Sequence, residues 1–514
     1  MRSWWGWGHV AEAVPDQECV QLGALLPGLP GQPLPVPRIE DLGLPPSAIA
    51  VPASLDAICT TDKAERASHT YGKAYRDTVR ALYGRLDRSP DIVAYPQNEG
   101  DVVRLLDWAG DAHVAVVPYG GGSSVVGGVE YRGGDHTGVL SLDLSKLDSV
   151  IEVDPVSRAA RVQAGVFGPA LEDQLKPYGL TLRHFPQSFE FSTLGGWLAT
   201  RAGGHYATLY THIDDLVESL RVITPVGVSE SWRLPGSGAG PSPDRLFLGS
   251  EGALGVITEA WVRLQNRPTH KASTAILFSD FADAVAATKA VAQSGLHPSN
   301  CRLLDAGEAQ LSGAGDGANV LLLGFEGTAP VSALLEQAAE LALAHRGRRH
   351  DRENATESWR SSFLRMPYIR DALARMSAIA ETFETATTWN AVGDLVEAVR
   401  TEAKAAVQEI CGAPGMVNCR FTHVYPDGAA PYFTVIAPGR RGSELSMWDE
   451  IKAAVSEVLN RHGATITHHH AVGRDHRPWY DRQRPDVFAT ALRAAKNALD
   501  PRNILNPGVL VTPR

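Results

Sequence analysis

Pro118-Tyr119-Gly120-Gly121-Gly122-Ser123-Ser124-Val125-Val126-Gly127-Gly128 follows the apolar, strand-like run His113-Val114-Ala115-Val116-Val117. Three consecutive glycines leave backbone N–H groups where side chains would otherwise stand. Such a loop can close around a phosphate or diphosphate, because glycine reaches positive φ freely and carries no Cβ to block the ligand. It does not end in Gly-Lys-Ser/Thr, so it is not a Walker A loop. Nor is it G-x-G-x-x-G opening a helix within a βαβ unit.

Three later segments give the loop its context. Asp154 leads to Ala164-Gly165-Val166. Phe191-Ser192-Thr193-Leu194-Gly195-Gly196-Trp197-Leu198-Ala199-Thr200-Arg201-Ala202-Gly203-Gly204 comes next. Gly249-Ser250-Glu251-Gly252-Ala253-Leu254-Gly255-Val256-Ile257-Thr258 is the last. In this order, from about Asp91 to Leu264, the four segments resemble the FAD-binding domain of the vanillyl-alcohol-oxidase flavoprotein superfamily. The resemblance implies an α+β chain. A PCMH-type FAD-binding domain would be joined to an antiparallel-sheet cap, or substrate, domain with a helical insertion. The implied FAD contacts are Pro118, Gly120, Gly121, Gly122, Ser123 and Ser124. Pro186, Ser192, Thr193, Gly195, Gly196, Thr200 and Ala202 extend the set, and Glu251, Gly255 and Ile257 complete it. The glycine loop contains no histidine, and non-covalent FAD is expected.

The bulk numbers narrow the class. A chain of 514 residues fits two to four domains. Hydrophobic residues at 44% and charged residues at 21% suit a globular protein with sizeable cores. A net charge of −10 gives no global basic field for nucleic acid. The five cysteines show no C-x-x-C pair or zinc spacing, which suits a reducing compartment. The opening residues lack the apolar run of a signal peptide, and no stretch of about 18 apolar residues exists. A cytoplasmic protein is expected.

Four regions follow from local pattern. Residues 1–90 read as a proline-rich extended arm followed by helix over Ala64–Leu86. Residues 91–268 form the FAD-binding domain, with helices at Asn98–Ala112 and Pro169–Tyr178. Residues 269–475 alternate strands (Thr274–Phe278, Val320–Phe325, Tyr432–Ile436) with helices (Phe281–Ser294, Val331–His345, Glu444–His462). This rhythm predicts an antiparallel sheet with helices on one face. Within it, residues 354–410 are rich in Ala and Glu and read as a helical insertion over the site. Residues 476–514 carry a helix over Val487–Ala498, and the closing segment resembles the superfamily's C-terminus, which implies a return to the flavin.

Several constellations carry chemistry. Thr467-His468-His469-His470-Ala471-Val472-Gly473 holds three adjacent histidines. In an extended segment, at most His468 and His470 share a face. A solvent-exposed tract or a metal site is the generic reading. Cys419-Arg420-Phe421-Thr422-His423 precedes Tyr432-Phe433, where aromatic alternation in a strand is the plain reading. Arg302 is either a strand arginine paired with Asp305 or a bidentate anion ligand. Arg370 and Asp371 are either helix-surface charges or site residues.

Together with Phe189–Ala202, Phe383-Glu384-Thr385 and the triple histidine, these segments resemble the alkyl-dihydroxyacetonephosphate synthase family over about Asp91 to Leu510. The resemblance implies a flavin-dependent transferase that exchanges the acyl group of acyl-dihydroxyacetone phosphate for a fatty alcohol, making an ether-lipid precursor. It assigns catalysis to Tyr432, His468, His469, His470 and Arg302. Substrate binding falls to Arg302, Arg370 and Arg420, with no metal. Lowering of the Tyr432 pKa by neighbouring imidazolium groups is expected. So are lipid substrates, a homodimer and peripheral contact at the inner membrane face, through Trp4, Trp5 and Trp7 or the insertion. A dehydrogenase or oxidase of a 2-hydroxy acid is the alternative. Such dehydrogenases carry Glu-His-Gly where this chain has His469-His470-Ala471, and a second metal histidine near the place of Tyr432. A non-catalytic flavin- or lipid-binding module is the third reading.

Overall fold

The computed structural model describes residues 1–210, 212–315, 317–350 and 355–512. Their backbone is α+β, with a four-stranded, a five-stranded and a two-stranded sheet ahead of one large sheet.

The apolar run before the glycine loop is the strand Val114–Tyr119. It lies parallel to Gly138–Asp143, which in turn lies parallel to Ile92–Ala94. Helix Glu99–Ala112 covers this sheet. Asn98 caps it by accepting from Asp101 N at 3.1 Å, and His113 ends it in the left-handed conformation. Antiparallel Val150–Asp154, Ala159–Gln163, Val256–Arg263, Val217–Thr224 and Gly227–Glu230 form the second sheet. The glycine loop emerges at the end of Val114–Tyr119, and residues 191–193, which lead into helix Leu194–Thr200, press against it.

The large sheet is antiparallel throughout. Its order is Arg348–Arg349, His270–Phe278, Asn319–Gly327, Asn300–Leu304, Met416–Val424, Gly428–Pro438, Ala378–Glu384. Strand alternation sorts its side chains by face. Cys301, Leu303, Cys419, Phe421, Phe433 and Val435 enter the main core under helices Phe281–Ala292, Ser332–Leu343, Val392–Cys411 and Glu444–Arg461. Arg302, Arg420, Tyr432 and Thr434 point the other way, into the cavity described below. A register shift between Phe421 and His423 lets His423 join them.

One sequence expectation needs correction. Residues 354–410 are not one helical insertion. After helix Ala355–Arg375 the chain forms Ala378–Glu384, a strand of the large sheet paired with Gly428–Pro438. Its Ala- and Glu-rich composition favours helix in isolation, and pairing and burial override it. Of the N-terminal tryptophans, Trp5 and Trp7 are buried and Trp4 is half-buried. Trp5 is 7% exposed and part of the main core; Trp7 is buried edge-on against Phe191 at 5.7 Å. The Trp7 amide donates to Asp371 at 2.5 Å, so the arm clamps helix Ala355–Arg375. No helix among the described residues is long and apolar enough to cross a membrane.

Candidate active site

A cavity of about 310 Å³ lies between the glycine loop and the inner face of the large sheet. The sixteen residues expected to hold FAD, from Pro118 to Ile257, all line it. The loop is shaped for an anionic group. Gly122 has φ +66°, and a Cβ there would sit 1.9 Å from the Tyr119 hydroxyl. A Cβ on Gly121 would meet the Phe191 carbonyl at 1.8 Å. Among the described residues, the amides of Gly121, Gly122 and Ser123 donate to no acceptor in the protein. Unsatisfied N–H groups beside a cavity fit the diphosphate of FAD. Thr193 caps helix Leu194–Thr200, while Ser124 accepts from Gly128 N at 2.9 Å and so braces the loop. Glu251 accepts from Val472 N at 2.9 Å and Gly473 N at 2.8 Å, tying the triple-histidine segment to the FAD-binding half. Burial pushes its carboxyl up to about 7.

On the opposite wall Tyr432 is buried, with its ring under the Arg420 guanidinium at 3.8 Å. His469 stacks on Tyr432 at 6.2 Å and His470 meets it edge-on at 5.5 Å. Arg420 forms a buried ion pair with Glu308 at 2.9 Å. Arg302 differs. It stacks over Trp359 at 4.1 Å and contacts His205 Nδ1 at 3.3 Å and the Thr422 carbonyl at 3.5 Å. Its Nε has no partner, and among the described residues no carboxylate pairs with it. Asp305 binds Arg400 instead, so the expected alternative pairing with Arg302 does not form. Burial lowers the Arg302 guanidinium to about 9. Arg370 lines the cavity while bonded to Asp371 at 2.7 Å and the Lys73 carbonyl at 2.6 Å.

The triple histidine is a loop wrapped around Glu384, not an extended strand. His469 and His470, rather than His468 and His470, face the cavity. His468 lies behind them; it bonds the Tyr425 hydroxyl through Nε2 at 2.7 Å and His469 Nδ1 through Nδ1 at 3.0 Å. The nitrogens of His423, His468 and His469 lie within 4.8 Å of one another. Those of His423 are bonded to the Gly204 carbonyl and the Thr422 hydroxyl, at 3.0 and 3.1 Å. Burial keeps the imidazoles neutral: His468 is lowered to about 4, and His469 and His470 are lowered as well. Burial also raises Tyr432. The expected activation of Tyr432 by imidazolium neighbours is therefore reversed, because desolvation outweighs every charge near these groups. Sequence reasoning missed Glu384, Tyr425, Trp359 and the cavity-facing Trp7; only the Phe383-Glu384-Thr385 block gave a signal.

Residues 90–230 match the FAD binding domain model, and residues 267–510 match the model of the C-terminal domain of FAD linked oxidases. The chain is 32% identical to alkyldihydroxyacetonephosphate synthase of Trypanosoma brucei brucei, over 88% of this chain and 78% of that protein. The chain belongs to the alkyldihydroxyacetonephosphate synthase family. The synthase of Dictyostelium discoideum matches equally, at 32% identity over 88% and 78%. A solved alkyldihydroxyacetonephosphate synthase structure superposes with a TM-score of 0.85 at 26% identity, covering 99% of each chain. A p-cresol methylhydroxylase structure, at 15% identity and a TM-score of 0.67, shares the fold. This alkyldihydroxyacetonephosphate synthase family member is a flavin-dependent enzyme with FAD as its cofactor.

Proposed function

We propose that this site exchanges the acyl group of an acyl-dihydroxyacetone phosphate for a fatty alcohol, releasing the fatty acid and forming an ether bond with no net redox change. The observation that carries this reading is Arg302, a buried guanidinium lining the cavity with no carboxylate partner among the described residues. Such a cation calls for an anionic ligand, and a phosphate monoester matches its fork. The lining supports the rest of the substrate. Tyr432 pairs across the sheet with Glu384, and Ile436 with Ala380 four residues on, about 13 Å along the strands. There Ile436, Ala380, Leu373 and Ile369 make the wall apolar, as an alkyl chain requires.

Bound FAD supplies the nucleophilic centre that divides a difficult C–O exchange into two steps. Tyr432, held protonated by burial, donates its hydroxyl proton or a hydrogen bond near the reacting carbon. The neutral His469 and His470 beside it accept the proton that the alcohol gives up. His468 and Tyr425 continue the hydrogen-bond chain behind His469. Arg302 binds the phosphate, with Arg420 and Arg370 completing the positive wall. The flavin is held without a covalent bond, since residues 120–128 offer no histidine or cysteine; acid precipitation should leave the yellow colour in the supernatant, and a yellow pellet would refute this. We read the functional protein as a cytoplasmic homodimer that meets its lipids at a membrane surface. The exchange is tested by mass spectrometry of products from holoenzyme supplied with palmitoyl-dihydroxyacetone phosphate and hexadecanol. The dehydrogenase reading would instead give flavin bleaching and a keto acid from D-lactate.

A further inference from the structure

We propose that Glu384 is the positioning residue of the site, its buried carboxylate fixing the triple-histidine loop against Tyr432. The proposal rests on the assignment of His469, His470 and Tyr432 to proton transfer.

Glu384 is 1% exposed and does not line the cavity, so it meets no substrate. Its carboxylate is surrounded by consecutive donors from one loop. Oε1 accepts from the Thr467 hydroxyl at 2.6 Å, His470 N at 2.8 Å and His469 N at 3.1 Å, and Oε2 accepts from His468 N. Three successive backbone amides closing on one anion make a nest. The same residue pairs with Tyr432 across the sheet, both side chains on the cavity face. Next to it, Thr385 Oγ1 donates to the Thr465 carbonyl at 2.5 Å and Thr385 N to the Pro431 carbonyl at 3.0 Å. One short segment thus holds both partners of the proposed proton transfer. Positioning of that kind matters, since a 1 Å misplacement costs about 10²-fold in rate.

A buried carboxylate is costly unless fully hydrogen-bonded. Burial by itself pushes Glu384 up. The adjacent imidazoles, His469 first, and the Thr467 hydroxyl outweigh it and hold the group well below the carboxylate range. The three amides and the Thr467 hydroxyl satisfy its oxygens in the buried site. In return its charge favours protonation of the imidazoles when they take a proton. Other groups face the imidazoles too: His423 and Arg420 on Met416–Val424, His212 ahead of Ile213–Leu216, Arg201 at the end of Leu194–Thr200, and Glu381 with Lys452. Glu384 is the strongest charge acting on all three histidines.

Glu384→Gln keeps the shape and removes the charge; Glu384→Asp keeps the charge and shortens the reach. Hydrogen–deuterium exchange on holoenzyme reads the loop without any activity. In Glu384→Gln, a peptide covering residues 465–472 should exchange at least about tenfold faster while flavin content holds. In the exchange assay kcat should fall at least about tenfold with KM within about threefold. Loss of the negative charge should move the acidic limb of kcat to lower pH, and Glu384→Asp should restore the limb without restoring loop protection. Wild-type loop exchange in Glu384→Gln would overturn the proposal, as would an unmoved pH limb. If the wild-type enzyme shows no acyl-for-alkyl exchange, the functional reading fails, and the deuterium result still decides the role of Glu384 in the loop.

Discussion

Tyr432 shows how far one side chain can be read. Its strand is evident in sequence, and its register opposite Arg420 and Glu384 follows from pairing. Its protonation state does not follow. Three neighbouring histidines suggested a base with a depressed pKa, but burial of the whole cluster leaves a neutral tyrosine among neutral imidazoles. The hydroxyl is the one polar atom lost in Tyr432→Phe. That variant should retain fold and flavin and lose about 10²–10⁴-fold in turnover. Near-normal turnover would place Tyr432 in the packing and leave proton transfer to the histidines. Arg302 was legible as a candidate anion ligand because an arginine in a semi-apolar strand demands a partner. That Asp305 is taken by Arg400 is a fact of tertiary structure no spacing reveals.

At the scale of elements, segments with strong period or caps were readable. Helix Glu99–Ala112 was expected one residue longer at its start, and Glu444–Arg461 one residue longer at its end. The strand Ala378–Glu384 was not readable, because its identity comes from Gly428–Pro438 rather than from its own residues. The histidine loop was visible as a motif and unreadable as a shape, since a carboxylate more than eighty residues away shapes it. The N-terminal arm was ambiguous for a related reason: a tryptophan cluster looks alike in sequence whether it meets lipid or core. The core placement of Trp5 gives a prediction. Trp5→Ala should destabilise the protein by about 3–5 kcal/mol in denaturant unfolding and leave vesicle binding unchanged. Wild-type stability with lost vesicle binding would return the tryptophans to the membrane.

Among the described residues, six imidazoles, three buried and three half-buried, share one sign of shift. His184 and His476 are lowered to about 3 and His468 to about 4 by burial, and His423, His469 and His470 are also lowered. The unfolded chain protonates each near 6.5, before the folded chain does. Stability should therefore fall as pH drops from 6.5 toward 4, by up to about 1.4 kcal/mol per pH unit for each uncompensated proton. Glu251 works in the opposite sense: it is raised to about 7, and its contribution is lost as pH rises through that value. Asp77 and Asp305 are raised by burial as well, and these three carboxyls do not offset six imidazoles. The urea midpoint should be clearly lower at pH 5 than at pH 7, and an equal or higher midpoint at pH 5 would contradict the neutral-histidine site.

The central claim concerns exchange without net redox change, and stoichiometry tests it most directly. Holoenzyme under anaerobic conditions, given palmitoyl-dihydroxyacetone phosphate and hexadecanol with no electron acceptor, should release one palmitate for each hexadecyl-dihydroxyacetone phosphate formed, through many turnovers. A reaction that stops after one turnover, needs an electron acceptor, or yields an oxidised product in place of the ether would contradict it.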